Sequence, residues 1–242
     1  MNTKPTFGAK FFALVGVGVL TLILALTSWF TTTEGHIYYV QNKLTGGTEV
    51  YAEPGIHLKV PGFTAVSTYK AVATIDMTTA EAANFTRNLN PVDVQYADTY
   101  TGAVPMTFRF RLPTDPEVFR QLHKDYRGYA NLVDSLLVNT SINAAVVTAT
   151  QYTGEEFFQG GVNAYKARME DQLRNGLYVT KREQVTIKDT GYAAVSSTNA
   201  DANKVEVTER LVTKNVIQLD KDGQPRRQEN PLAAYGIQVT QV

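Results

Sequence analysis

Residues 53–61 read EPGIHLKVP, and their period decides the fold. Ile56, Leu58 and Val60 alternate with His57 and Lys59, the two-residue period of a strand buried on one face, and Pro54-Gly55 and Pro61-Gly62 bracket it as turns. That pattern predicts His57 pointing away from the core. Thirty Thr and twenty-six Val add to the case for sheet, because β-branched side chains fit a pleated surface. Upstream the period vanishes. Residues 11–30 read FFALVGVGVLTLILALTSWF, and no charge occurs between Lys10 and Glu34. At a rise of ~1.5 Å per residue, twenty helical residues span ~30 Å, the hydrocarbon thickness of a bilayer. The spacing predicts one membrane-spanning helix over 11–30, with Phe11 and Phe12 at one lipid-water interface and Trp29 and Phe30 at the other. A cleavable signal peptide fits less well: its apolar region runs ~7–15 residues and ends in small side chains, whereas Leu26-Thr27-Ser28-Trp29 follows here. Lys4 and Lys10 precede the span while Glu34 and Lys43 follow it, so the positive-inside rule places the N-terminus in the cytoplasm and the bulk of this single-pass chain outside it.

Downstream, Met106, Phe108, Phe110 and Leu112 alternate with Thr107, Arg109 and Arg111, which predicts a strand with one apolar and one cationic face. Arg109 and Arg111 are either solvated or face an acidic neighbour across a subunit interface. Asp115 before Pro116 is an N-cap followed by the first helical position, opening a helix that ends near Gly128. Leu132, Val133, Leu136 and Leu137 carry a second helix toward Val147. Thr153 and Glu156 have capping-box spacing, and Phe158, Val162, Tyr165, Met169 and Leu173 then form a helical stripe, predicted as one buried face, until Asn175-Gly176. Leu177–Thr180 and Val185–Ile187 read as strand, Gly191–Asn203 as a loop, Leu211–Leu219 with Asp220–Gly223 as a strand and turn of a hairpin, and Tyr235–Val242 as a last alternating strand.

Charge and composition exclude several functions. With 23 Lys plus Arg against 23 Asp plus Glu, the chain has no net field to hold phosphate backbones, so no nucleic-acid partner is expected. Absence of Cys removes disulfides, thiolate metal sites and thiol nucleophiles. His36, His57 and His123 are scattered. No HExxH, GxSxG, GxxxxGK or GxGxxG occurs, and Gly16-Val17-Gly18 lies inside the apolar span. Arg226-Arg227 is too short for a phosphate site and reads as solvated surface. No catalytic, cofactor or metal site is expected.

The order of features resembles the stomatin, prohibitin and flotillin family, also called SPFH or band 7. Glu34-Gly35 follows the anchor, and Pro54, Gly55, His57 and Pro61 fall in a recurrent PGxHxxxP element. Asp115-Pro116 resembles the family's helix start, and Tyr235-Gly236-Ile237-Gln238-Val239 its yGIxV strand. The resemblance covers roughly residues 12–189 and 235–242. It implies an α+β fold: an N-terminal transmembrane helix (anchor 1–33, helix 11–30) followed by two mixed α/β SPFH subdomains, a mostly β one over 34–100 and an α/β one over 101–189. Residues 190–234 are then an insertion with a β-hairpin, and 235–242 a strand that in relatives leads to a coiled coil, whose apolar heptads do not occur here. The implied function is a non-enzymatic membrane scaffold without cofactor. Many copies form a ring or cage around a membrane microdomain, and they organise or segregate membrane proteins, a membrane protease among them. Membrane lipid and further copies of the chain are the implied partners. The alternative is an anchored, monomeric ligand-binding domain.

Overall fold

Four consecutive residues of strand β2 (His36–Asn42), Ile37 to Val40, are buried, so this strand is covered on both faces and escapes the two-residue period. The computed structural model describes residues 7–79, 85–191 and 206–242, and the chain divides into two units. The first unit comprises residues up to Val72 together with Leu112–Leu132. It holds helix α1 (Phe7–Thr27), β1 (Trp29–Thr32), β2, β3 (Thr48–Tyr51), β4 (Gly55–Leu58), β5 (Thr64–Lys70), α2 (Pro116–Tyr126) and α3 (Tyr129–Leu132). β2 is the centre of an antiparallel sheet of order β3-β2-β5, and β1 pairs with β4 in a separate antiparallel ribbon. One face of β2 meets α2. There His123 stacks on Tyr39 at 3.7 Å and its Nδ1 lies 2.6 Å from the Tyr69 hydroxyl, while the Tyr69 ring meets Phe119 edge-on at 5.0 Å. Burial pushes the Tyr69 hydroxyl up to about 12 and holds His123 below the usual imidazole range, so both are held neutral and share one hydrogen bond. Asp115 caps α2 by accepting from the backbone N–H of Glu117 and Val118, both at 3.0 Å, and Arg127 in the left-handed region ends it.

The second unit comprises Ala73–Arg111 and Val133–Val242. β6 (Val72–Met77), whose first residue closes the first unit, β7 (Arg87–Asn88), β10 (Met106–Arg111) and β13 (Gln238–Gln241) form a sheet of order β13-β10-β6-β7, beside a hairpin of β8 (Val92–Gln95) and β9 (Thr101–Val104). Along β10 the expected alternation holds: Met106, Phe108 and Phe110 are buried while Arg109 and Arg111 are exposed. Asp76 is also buried. Burial alone would raise its carboxyl, but the hydroxyls of Thr78 and Thr107 donate to it at 2.7 Å each and hold it below the ordinary carboxylate range. A π-helical turn (Val133–Val138) runs into α4 (Asn139–Ala149). One helical stretch, Tyr129–Ala149, is long and apolar enough to cross a membrane, but 56% of its apolar window is buried in the fold, which makes it a core helix.

Beyond it stand α5 (Gly154–Glu156), a π-helical turn (Phe157–Gly161), α6 (Val162–Asn175), the long ribbon of β11 (Thr180–Gly191) with β12 (Glu206–Ile217), and α7 (Pro231–Ala234). The capping box of Thr153 and Glu156 is present.

Several expectations need correction. The two units are each built from two chain segments, so the expected contiguous boundary at 100/101 is not where the chain divides. Strand β11 starts at Thr180, ten residues before the expected insertion at 190, and pairs with β12, while Asp220–Gly223 turns the chain back so that Leu219 bridges Pro225 antiparallel and Arg226 N–H donates to the Gln218 carbonyl, the short hairpin expected there. Except for Gly191, the loop read over Gly191–Asn203 lies outside the described residues. The stripe from Phe158 to Leu173 is broken. Tyr165, Met169 and Leu173 are buried, but Phe158 is 72% exposed and Val162 49%, while neighbouring Phe157 is buried instead. Gln159 and Gly160 leave helical geometry, Gly160 at φ 115°, and the wider π turn rotates everything before them out of the register that α6 continues.

Candidate membrane-contact site

Every residue from Phe11 to Thr27 is exposed, including Phe12 at 75%, Leu14 at 74% and Leu26 at 72%. Phe11 and Phe12, the aromatics expected at the N-terminal interface, meet edge-on at 6.1 Å. The helix does not reach residue 30. The Thr27 hydroxyl donates to the Ile23 carbonyl at 2.8 Å, Ser28 donates back to Leu24, and the Lys59 N–H donates to the Ser28 carbonyl at 2.7 Å, so the chain passes directly from helix into β1.

The β1–β4 register pairs Trp29 with Leu58, Phe30 with His57, Thr31 with Ile56 and Thr32 with Gly55. Strand side chains alternate between faces, so this register makes the ribbon two-sided. Its outer face carries Trp29, Ile56 and Leu58, with 69% of Ile56 and 71% of Leu58 exposed. Its inner face carries Phe30 and His57, which pack at 5.3 Å; His57 lies 3.8 Å from Tyr51, and Phe30 lies 6.4 Å from Tyr38. The Thr32 hydroxyl donates to the Glu53 carbonyl at 2.7 Å and stands 3.3 Å from His57 Nε2. A Cβ at Gly55 would sit 3.2 Å from that nitrogen, so glycine leaves room for the ring. The Tyr51 hydroxyl donates to Glu49, which, with partial burial, pushes it up to about 12.

Two expectations are thus reversed. His57 faces inward while Ile56, Leu58 and Val60 face outward, and Phe30 turns into the aromatic cluster instead of joining Trp29 at an interface. The two-residue period identified which side chains share a face but not which face is covered. The exposed apolar surface continues past β4. Phe63 N–H and Thr64 N–H both donate to the Val60 carbonyl, closing the Pro61-Gly62 turn, and the Lys43 N–H donates to the Phe63 carbonyl at 2.7 Å, which sets Leu44 beside it. Leu44, Val60 and Phe63 are all exposed.

The remaining motif residues are separated. Glu34 and Gly35 form the exposed turn into β2, with Gly35 at φ 78° and its carbonyl accepting from the Ala71 N–H. Asp115 and Pro116 open α2. In the second unit, Arg109 and Arg111 pair with Gln241 and Gln238 across β10 and β13 and form an ion pair with no described residue. Sequence reasoning missed Tyr38, Tyr51 and Glu49 of the aromatic cluster, and Leu44 and Phe63 of the apolar surface. Tyr38 and Tyr51 lie opposite one another in the β2–β3 register, a pairing that needs the turn between them to be placed first.

No curated protein matches the chain. The model of the SPFH domain / Band 7 family matches residues 30–242, from Phe30 of the ribbon through the β11–β12 hairpin to the last strand. That family is membrane-associated and known for scaffolding membranes rather than for catalysis. With most of its length matched, including both units, the chain belongs to the SPFH domain / Band 7 family.

Proposed function

We propose that the protein is a single-pass membrane scaffold. On this reading α1 crosses the bilayer and the outer face of the β1–β4 ribbon rests against lipid. Many copies associate side by side into a ring or cage that encloses a microdomain and organises or segregates membrane proteins, a membrane protease being one such client. Lys4 and Lys10 favour a cytoplasmic N-terminus, with the folded units on the other side.

One observation carries the reading. Helix α1 has 21 residues, of which Phe11–Thr27 are exposed and apolar, and it passes, with one intervening residue, into a ribbon whose outward face is also apolar. At ~1.5 Å per residue the helix is ~31 Å long, a bilayer's hydrocarbon thickness. Moving Trp29, Ile56 and Leu58 out of water contributes about 4 kcal/mol together, taking roughly 2 kcal/mol for each fully buried side chain and discounting what is already covered. Assembly into a closed ring needs a heterologous contact, for which exposed Arg109 and Arg111 supply cationic groups on one side. Anchoring confines all copies to one plane and raises their effective concentration.

Two measurements test this. Trp29 is the chain's one tryptophan, so Trp29→Phe combined with Ile56→Trp gives a single probe on the outer face. Brominated lipids should quench it in vesicles, and quenching no stronger than by aqueous acrylamide would overturn the membrane contact. The mass of the full chain in detergent should be that of a large closed complex. A monomer there and in nanodiscs would overturn the scaffold and leave an anchored binding domain.

A further inference from the structure

Beside the outer face of the ribbon, a cleft of about 260 Å³ opens in the first unit, and its lining includes Asn42, Thr45, Glu49, Leu58, Lys59 and Thr64. Its volume lies just under the ~300–1,000 Å³ of whole small-molecule sites, which suits a headgroup and not a whole lipid. Its position is fixed by Lys59, whose backbone N–H is bonded to Ser28 at the end of α1.

The polar groups of the cleft are of two kinds. Asn42 Oδ1 already accepts from the Leu44 N–H at 2.9 Å, so its amide hydrogens remain to be used. Thr45 Oγ1 accepts from Gly47 N–H and Thr64 Oγ1 from Val60 N–H, so each hydroxyl keeps its hydrogen for a further acceptor. The Lys59 ammonium forms an ion pair with no described residue, Glu49 included. Those four groups together suit a phosphate. Glu49 is the exception. One of its oxygens accepts the Tyr51 hydroxyl, and the other is available to a cation.

From this juxtaposition of Lys59 and Glu49, unpaired with each other in one cleft next to the apolar face, we infer that the cleft binds a phosphoethanolamine headgroup. The phosphate sits against Lys59, Asn42 and the two threonine hydroxyls, the primary ammonium donates to Glu49, and the acyl chains leave over Leu58 and Val60. A quaternary ammonium has no hydrogen to donate to Glu49, and a glycerol headgroup leaves that carboxylate without a counter-charge, so the cleft selects the primary amine. This inference rests on the membrane contact proposed above.

Native mass spectrometry of the full chain tests it, in detergent carrying equal amounts of phosphatidylethanolamine, phosphatidylglycerol and phosphatidylcholine with identical acyl chains. A charge-assisted hydrogen bond is worth more than a tenfold preference, so the ethanolamine lipid should be retained about tenfold over the other two. Glu49→Gln keeps an acceptor for Tyr51 and should erase that preference, whereas Glu49→Asp should retain it. Lys59→Gln should lower retention of all three lipids. Glycerophosphoethanolamine should displace the bound lipid at lower concentration than inorganic phosphate. Equal displacement by the two, a wild-type preference for phosphatidylglycerol, or a preference unchanged in Glu49→Gln would each overturn the inference. Quenching of Trp at position 56 separates the two readings: quenching without headgroup preference sinks only this site, and no quenching sinks the membrane contact beneath it.

Discussion

Phe157 and Phe158 are adjacent, chemically identical and oppositely placed, so truncating each in turn tests the break in the helix that follows them. Phe157 is 8% exposed, and its ring lies 5.2 Å from both Tyr96 and Tyr165. Phe157→Ala removes a core ring with two aromatic contacts and should destabilise the second unit by about 3–5 kcal/mol. Phe158 is 72% exposed and meets that cluster from outside, edge-on to Phe157 at 5.4 Å and 6.4 Å from Tyr96, so Phe158→Ala should cost under about 1 kcal/mol. At roughly 2–4 °C per kcal/mol for a body of this size, calorimetry of the full chain in detergent should show a fall of about 10 °C for the first variant and at most about 4 °C for the second. The uninterrupted helical stripe read from the sequence demands the reverse. Equal shifts, or a larger one for Phe158→Ala, would refute the register change at Gln159-Gly160 and restore Phe158 to the core.

Gly160→Ala meets no neighbour within 4 Å, yet it places a side chain at φ 115°, so it should lower stability by about 1–2 kcal/mol through backbone strain alone, read as a melting shift without loss of secondary structure. Gly55→Ala should displace the His57 ring from Thr32, and the His57 imidazole NMR resonances, shielded by Tyr51, should move; unchanged shifts would place the ring elsewhere. His123 has its folded pKa lowered by burial below the unfolded value of about 6.5, so the unfolded chain takes up the proton first as pH falls. Stability is then full above about pH 6.5 and declines as pH drops toward the folded pKa. His123→Gln should flatten the melting temperature across that window, and an unaltered slope would remove His123 as its source.

Local signals that act over one turn were legible. Asp115 before Pro116, Thr153 before Glu156 and Gly176 after Asn175 each cap or stop a helix through groups a few residues away, and the described structure places them there. Asn230 before Pro231 carried the same signal for α7, where Asn230 accepts from the Leu232 N–H at 2.9 Å, and it was overlooked inside a run read as insertion. What the sequence withheld was longer-range. The two chain segments of each unit, and the pairing of Thr180 with Ile217 that opens the β11–β12 ribbon, depend on contacts across forty residues or so.

The inversion at residues 53–61 has a different origin. Binary patterning assumes that whatever lies off the core is water, so apolar alternation is taken to mark the buried face. In the β1–β4 ribbon both faces are apolar in their own way: Phe30 and His57 share theirs with Tyr38 and Tyr51, while Trp29, Ile56 and Leu58 present aliphatic and indole surface outward. Of the two sets, the inner one contains the groups with hydrogen bonds to satisfy, and the fold supplies partners for them in Thr32 and Glu49. The outer one contains no hydrogen-bonding group except the indole N–H and Thr31, which is what a lipid-facing surface tolerates and an aqueous one does not require. The ribbon's polarity therefore follows from which of its side chains need hydrogen-bond partners, not from which are apolar. Where a strand pairs with the first residues after an exposed apolar helix, its aliphatic positions can be the exposed ones, and its histidine and aromatics the ones the protein covers.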